Sequence, residues 1–213
     1  MISISMSQFI SVSTKQGFEA QKTEVDHIKE QKYSPGMDYW KPIRDELSKV
    51  LKGEHTFDSF NSIVENATVK RNKRENYHKA VSKLKNFFSH HSYECLDNHH
   101  TKTFWYYPKG DLQVSVSPEF NIKIDSQKYL LKVHYRLKKE NERMTMTTVG
   151  PSLLLLDKAT RNVRDADTKV AILNLQNQKL VTLDDVKDKY KSDDSLIAVA
   201  SIIYALYTRK ESL

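Results

Sequence analysis

Residues 110–136 read GDLQVSVSPEFNIKIDSQKYLLKVHYR, and three runs of alternation inside them decide the fold class. Leu112, Val114 and Val116 alternate with Gln113, Ser115 and Ser117, the period of a half-buried strand. Phe120, Ile122 and Ile124 repeat the pattern after Pro118. Asp125-Ser126 supplies turn chemistry, and Lys128 to Arg136, carrying Leu130, Leu131 and Val133, reads as a more buried strand. Thr103 to Tyr107 adds a strand upstream, with Pro108-Lys109-Gly110 as the turn. Four strands joined by short turns predict an antiparallel meander.

Upstream the period changes to that of helices. Tyr39, Trp40, Ile43, Leu47 and Val50 recur at helical spacing from Met37 to Leu51, with Pro42 early, where proline is tolerated, and Gly53 past the end. Thr56 is suited to cap a second helix carrying Phe57, Phe60, Ile63 and Val64. A third, Arg74 to Ser89, aligns Tyr77, Val81, Leu84 and Phe88. Downstream, Gly150-Pro151 opens a helix whose Leu153 to Leu156 run is apolar all round. Val170 to Leu173 and Lys179 to Leu183 form a hairpin, and a last helix from Asp193 or Asp194 buries Leu196, Val199, Ile203 and Leu206.

The class is therefore α+β: N-terminal helices, a central antiparallel β-meander, then helix, β-hairpin and C-terminal helix. Residues 1–36, poor in apolar periodicity and ending in Tyr33-Ser34-Pro35-Gly36, are expected to be a flexible leader with a short helix near Phe18 to Lys29. Residues 37–213 are expected to be a single domain, helical over 37–92 and sheet with packing helices over 93–213. The 213 residues contain one cysteine, Cys95, so no intrachain disulfide forms. Nothing at the N-terminus resembles a secretory signal and no apolar run reaches about 20 residues, which leads us to expect a cytoplasmic protein with no membrane partner.

A formal charge of +7 and a pI near 9.2 favour polyanions as partners. The charge is concentrated. Between residues 70 and 85 stand Lys70, Arg71, Lys73, Arg74, Lys79, Lys83 and Lys85 against the single acid Glu75. A helix so one-signed can lie along a DNA or RNA backbone, or can simply be a solvated face. His90, His91, Cys95, His99 and His100 lack the multiple cysteines and spacing of a structural zinc site, so surface histidines are the expectation. No phosphate-binding loop, dinucleotide fingerprint or Gly-x-Ser-x-Gly elbow occurs, which excludes the common nucleotide-dependent and doubly wound hydrolase classes.

Carboxylates at the strands remain. Pro118-Glu119 is followed by ten residues and then Leu130-Leu131-Lys132. In spacing this resembles the signature of the PD-(D/E)XK nucleases, and the order helix, antiparallel strands, helix, strand is similar to that superfamily's core. The resemblance implies that Glu119 takes the place of a metal-holding acid and Lys132 that of the lysine which positions or activates water, with Mg²⁺ or Mn²⁺ as the cofactor. Leu130 stands where the second acid belongs. Asp111, Asp125 or Glu75 would have to replace it, the metal then being held by Glu119 with Asp111 and Asp125.

Three functions follow as expectations. The first is a nucleic-acid-associated accessory or regulatory protein on a degenerate nuclease-like domain. The second is an active metal-dependent nuclease. The third is a protein-interaction module without nucleic-acid binding, pairing through the hairpin or forming a homo-oligomer through the C-terminal helix.

Overall fold

The computed structural model describes residues 1–30, 38–67, 71–96, 102–137 and 142–209, the side chain of Arg71 excepted. The chain is α+β, as the periodicities predict. It opens with strand β1 (Ile2–Ser5) and helices α1 (Met6–Ser13) and α2 (Phe18–Glu30). Helices α3 (Lys41–Leu51), α4 (Phe60–Asn66) and α5 (Arg71–Ser89) follow. Then come strands β2 (Tyr93–Cys95), β3 (Thr103–Tyr106), β4 (Leu112–Val116), β5 (Phe120–Ile124) and β6 (Gln127–His134). The chain continues through α6 (Met146–Thr160), β7 (Thr168–Asn174), β8 (Lys179–Thr182) and α7 (Asp193–Thr208).

The strands expected to form one meander are divided between two sheets. β3 and β4 pair antiparallel in a three-stranded sheet of order β1-β4-β3, with β1 parallel to β4. β5 and β6 pair antiparallel in a five-stranded sheet of order β2-β5-β6-β7-β8. The division falls at Ser117-Pro118-Glu119, between two runs that do not pair with each other. Proline has no N–H to give a ladder, so it suits a break between strands. β6 and β7 are parallel, joined through α6, and β7 and β8 form the expected hairpin.

β7 shows how the layers stack. Val170 and Ile172 face a first core shared with α1, α6, α7 and the three-stranded sheet. Ala171, Leu173 and Leu175 face a second core with α3, α4 and α5. A strand covered on both faces is apolar throughout, as Val170 to Leu173 is. The Leu153–Leu156 run is buried all round for the same reason, since α6 touches β3, β4, β7 and α7. α6 begins earlier than Gly150-Pro151, at a capping box in which Thr145 and Thr148 bond each other's backbone N–H groups. Gly150 is needed inside it for close approach: a Cβ there would lie 2.1 Å from the Tyr190 carbonyl oxygen. Leu196, Ala200, Ile203 and Leu206 of α7 are buried, and Ile197, Ile202 and Tyr207 pack partly buried against the first core.

The expected flexible leader is a correction. Residues 2–30 are a strand and two helices whose Ile4, Met6, Phe9, Val12 and Val25 are buried in the first core. Residues 31–36, the rest of that expectation, lie outside the described residues. The hidden signal is a capping box, Ser5 with Gln8, at the start of α1. Among the described residues no helix is long and apolar enough to cross a membrane.

Candidate functional site

Glu119 sits where the chain leaves one sheet and enters the other. Its backbone N–H donates to the Leu131 carbonyl (2.8 Å), just beyond the last β5–β6 pair, Phe120 with Leu131. The side chain then takes over from the ladder. Oε2 accepts the Val133 N–H at 3.0 Å, and Oε1 accepts Lys132 Nζ at 2.8 Å. Both ionic side chains are over nine-tenths buried. Lys132 thus lies inward, with the partner a buried ammonium requires.

Further polar groups surround the carboxylate on the helical side. Burial opposes the charge of Arg44 on α3, but its hydrogen bond to Asp38 (2.8 Å) and the Glu119 carboxylate hold its pKa up. The Tyr135 hydroxyl is pushed well above its ordinary pKa, first by burial and then by the Glu119 charge beside it. Tyr135 stacks on Trp40, with centroids 5.7 Å apart. The carboxylates Glu119 and Asp38 are therefore matched by Lys132 and Arg44. A divalent cation needs several oxygens that are not already neutralised.

The other acids proposed from the sequence lie elsewhere. Asp111, exposed before β4, pairs with the Met1 ammonium at 3.0 Å. Asp125 occupies the β5–β6 turn with a positive φ of 45°. It accepts hydrogen bonds from His91, whose contact is the main cause of its lowered pKa, and from the Ser92 N–H (3.0 Å) and hydroxyl (3.2 Å). Glu75 is exposed on α5 and pairs with Lys79 one turn on. Leu130 pairs with Asn121 across the β5–β6 ladder and is partly buried. Of the catalytic set, Glu119 and Lys132 come together and Asp111, Asp125 and Glu75 do not join them. Among the described residues, no group of three or more His, Cys, Asp and Glu could hold a metal ion. His99 and His100 lie outside the described residues, while His91 packs on Phe87.

The basic helix is present and its outer face is polar. Arg74, Glu75, His78, Lys79, Ser82, Lys85 and Asn86 are exposed, while Tyr77, Ala80, Leu84, Phe87 and Phe88 are buried. Lys73 lies over the rings of Tyr39 (5.4 Å) and Tyr77 (5.3 Å). Lys83 donates to the Gln176 carbonyl at 2.8 Å, and Lys85 reaches Asp58 at 3.4 Å. Lys70 lies outside the described residues, and Arg71 is placed only as the first residue of α5.

No family profile, curated protein or solved structure matches the chain.

An ionic network that sequence reasoning missed lies near the end of β6, its two acids buried and its two cations partly exposed. Arg136 bridges Glu24 (2.9 Å) on α2 and Glu142 (3.2 Å). Lys15 bridges the same two acids at 3.3 and 3.1 Å. Burial works against the Glu24 charge, but Arg136, the Ser11 hydroxyl (2.5 Å) and Lys15 hold its pKa down to about 2. His134, two residues before Arg136, is buried with Nε2 unpartnered among the described residues. Burial lowers its pKa to about 4, with Glu142 opposing and Arg136 and Lys132 assisting. Beside Glu142, a cleft of about 310 Å³ opens where β7 ends, lined by Arg143, Met144, Asn174, Gln176 and Lys179 among others.

Proposed function

We propose that the chain is a nucleic-acid-associated accessory protein, built on a nuclease-like core whose acid–lysine pair serves as a structural ion pair. The observation that carries the reading is the outer face of α5. Arg74, His78, Lys79, Ser82, Lys85 and Asn86 are side chains able to donate to phosphate oxygens, and they are exposed along one helix with Glu75 as its single acid. The pairs Lys79–Glu75 and Lys85–Asp58 lie at the surface, where such contacts hold weakly, so both lysines can turn to phosphates.

Support for the nuclease-like core comes from element order and from one ion pair. Helix, antiparallel strands, helix and strand correspond to α5, β2 with β5 and β6, α6 and β7. Glu119 and Lys132 touch, as that resemblance requires, while Leu130 leaves the second acid position apolar.

The test is a fluorescence-anisotropy titration of duplex DNA and RNA at about 50 and 200 mM salt. Affinity should fall steeply with salt. Replacing Arg74, Lys79 and Lys85 by alanine should lower the slope of log K against log salt by about 0.9 for each phosphate that is no longer neutralised. No binding at low salt overturns the proposal.

A second reading, a metal-dependent nuclease, rests only on the contact of Lys132 with Glu119, whose two oxygens are already bonded. It predicts cleavage that stops on chelation, returns with Mg²⁺ or Mn²⁺, and is abolished by Lys132→Ala. Undiminished cleavage by that variant would rule out this site.

A further inference from the structure

The three-stranded sheet has one covered face and one open face. Ile4, Leu112, Val114 and Val116 point into the first core, with Ile2 and Trp105 packed against it. Strand alternation turns the intervening residues the other way. On that outer face lie Ser3 and Ser5 of β1, Gln113 and Ser115 of β4, and Phe104 and Tyr106 of β3. Register confirms the grouping, since Phe104 pairs with Ser115 and Tyr106 with Gln113.

Two large aromatic rings on this face have no role in the core. Phe104 is 40 % and Tyr106 60 % exposed, on an edge strand of the sheet. Their centroids are 6.5 Å apart and their planes differ by 32°. Lys102 Nζ lies 5.3 Å from the Phe104 centroid. Lys109 is exposed in the turn that follows β3. The surroundings of the rings are hydroxyls and the Gln113 amide, with Gln113 Nε2 donating to Ser3 Oγ at 3.0 Å.

We propose that this face binds single-stranded nucleic acid, with bases stacked on Phe104 and Tyr106 and the backbone met by Lys102 and Lys109. The proposal shares its ligand class with the reading above but uses a different surface and a different strandedness. Rings at alternate positions of one strand are spaced so that each takes its own base. A duplex keeps its base faces stacked internally, so only an unpaired strand can use them. Two lysines flanking the rings supply charge complementary to phosphate. The Ser115 hydroxyl and the Gln113 amide oxygen beside the rings can bond base edges.

The test uses the full chain and labelled homopolymer oligonucleotides of about twelve nucleotides, within the usual reach of a stacking platform, beside a blunt duplex of the same length. Wild-type protein should bind the single strand. The Phe104→Ala/Tyr106→Ala variant should lose about ten- to a hundredfold in that affinity and leave duplex affinity unchanged. Tyr106→Phe, which keeps the ring, should bind as wild type. Single-strand affinity equal in wild type and the double variant overturns the platform while the α5 reading stands. Binding of neither oligonucleotide by wild type overturns both. Single-strand binding lost in the double variant, with no duplex binding at any salt, supports the platform and overturns the α5 reading for duplexes. If light scattering shows a dimer that the double variant dissolves while its single-strand affinity is unchanged, the face is an interface between copies and the proposal falls.

Discussion

Lys132 and Arg136 stand four residues apart on one run of chain, and each neutralises buried carboxylates on a different plan. Lys132 has one carboxylate partner, Glu119, and the two side chains are almost equally buried. Arg136 shares two carboxylates, Glu24 and Glu142, with a second cation, Lys15. In the first plan the loss of Glu119 leaves Lys132 a lone buried charge, and the loss of Lys132 leaves Glu119 only the Val133 N–H and the charge of Arg44. In the second, every charge keeps a neighbour after any single loss. Redundancy is what the network gains over the pair, and it requires gathering groups from four separate segments.

The largest expected effect therefore belongs to the isolated pair. Lys132→Met removes the ammonium bonded directly to Glu119 and should cost about 3 kcal/mol, read as a shift in the urea midpoint. The double variant Glu119→Leu/Lys132→Met should recover most of that, because apolar replacement of a whole buried pair is often neutral. A coupling energy near zero in this cycle would show that the pair is not the unit described. Arg136→Met should cost less, about 2 kcal/mol, since Lys15 still holds both acids. Loss equal to that of Lys132→Met would erase the contrast between the plans.

Acid sharpens the comparison further. His134 is neutral in the fold, with its pKa lowered from 6.5 to about 4. The unfolded chain then takes up a proton near pH 6.5 and the native chain only near pH 4. Stability should be level above pH 6.5 and decline as pH falls toward 4, by up to about 3 kcal/mol in all. Glu24, with its pKa lowered from 4.5 to about 2, adds a loss of the same sign that begins below pH 4.5. His134→Gln should flatten the slope between pH 6.5 and 4, measured by thermal melts across that range. The smallest effect is expected at the surface, where Glu75→Ala breaks a solvent-exposed pair with Lys79 and should leave the melting midpoint within experimental error.

Periodicity revealed the parts of the fold whose partners are near in sequence. The β5–β6 and β7–β8 hairpins and the buried α6 were legible because alternation, turn residues and apolar runs are local signals. The N-terminal segment was harder to read, because polar Ser11, Ser13 and Thr14 are interleaved with its buried Met6, Phe9, Ile10 and Val12. Ser11, Ser13 and Thr14 are buried yet satisfied by backbone carbonyls of their own helix, Gln8 for Ser11 and Ile10 for the other two. Polar letters so placed blur the apolar stripe that Met6, Phe9 and Ile10 would otherwise mark. The sheet division was illegible for a different reason. Alternation in β4 and β5 says which residues share a face, but not which strand lies alongside.

The same split applies to the site. Glu119 and Lys132 could be paired on paper because spacing and a hairpin brought them together, thirteen residues apart. The Arg136 network could not, because Glu24 is 112 residues from Arg136 and Lys15 is 127 from Glu142. The exposed rings of β3 were hidden inside a strand whose open side the alternation alone does not specify.

One pairing also sets a timetable for the growing chain. β1 aligns with β4 across 110 residues, from Ser3 to Gln113. At about 5–20 residues per second, the ribosome leaves β1 waiting on the order of 5–20 s for its neighbour. During that interval Ile2, Ile4 and the apolar side of α1 are uncovered. β1 is thus secured only once the chain has grown through β4, so its pairing is among the late events of folding during synthesis.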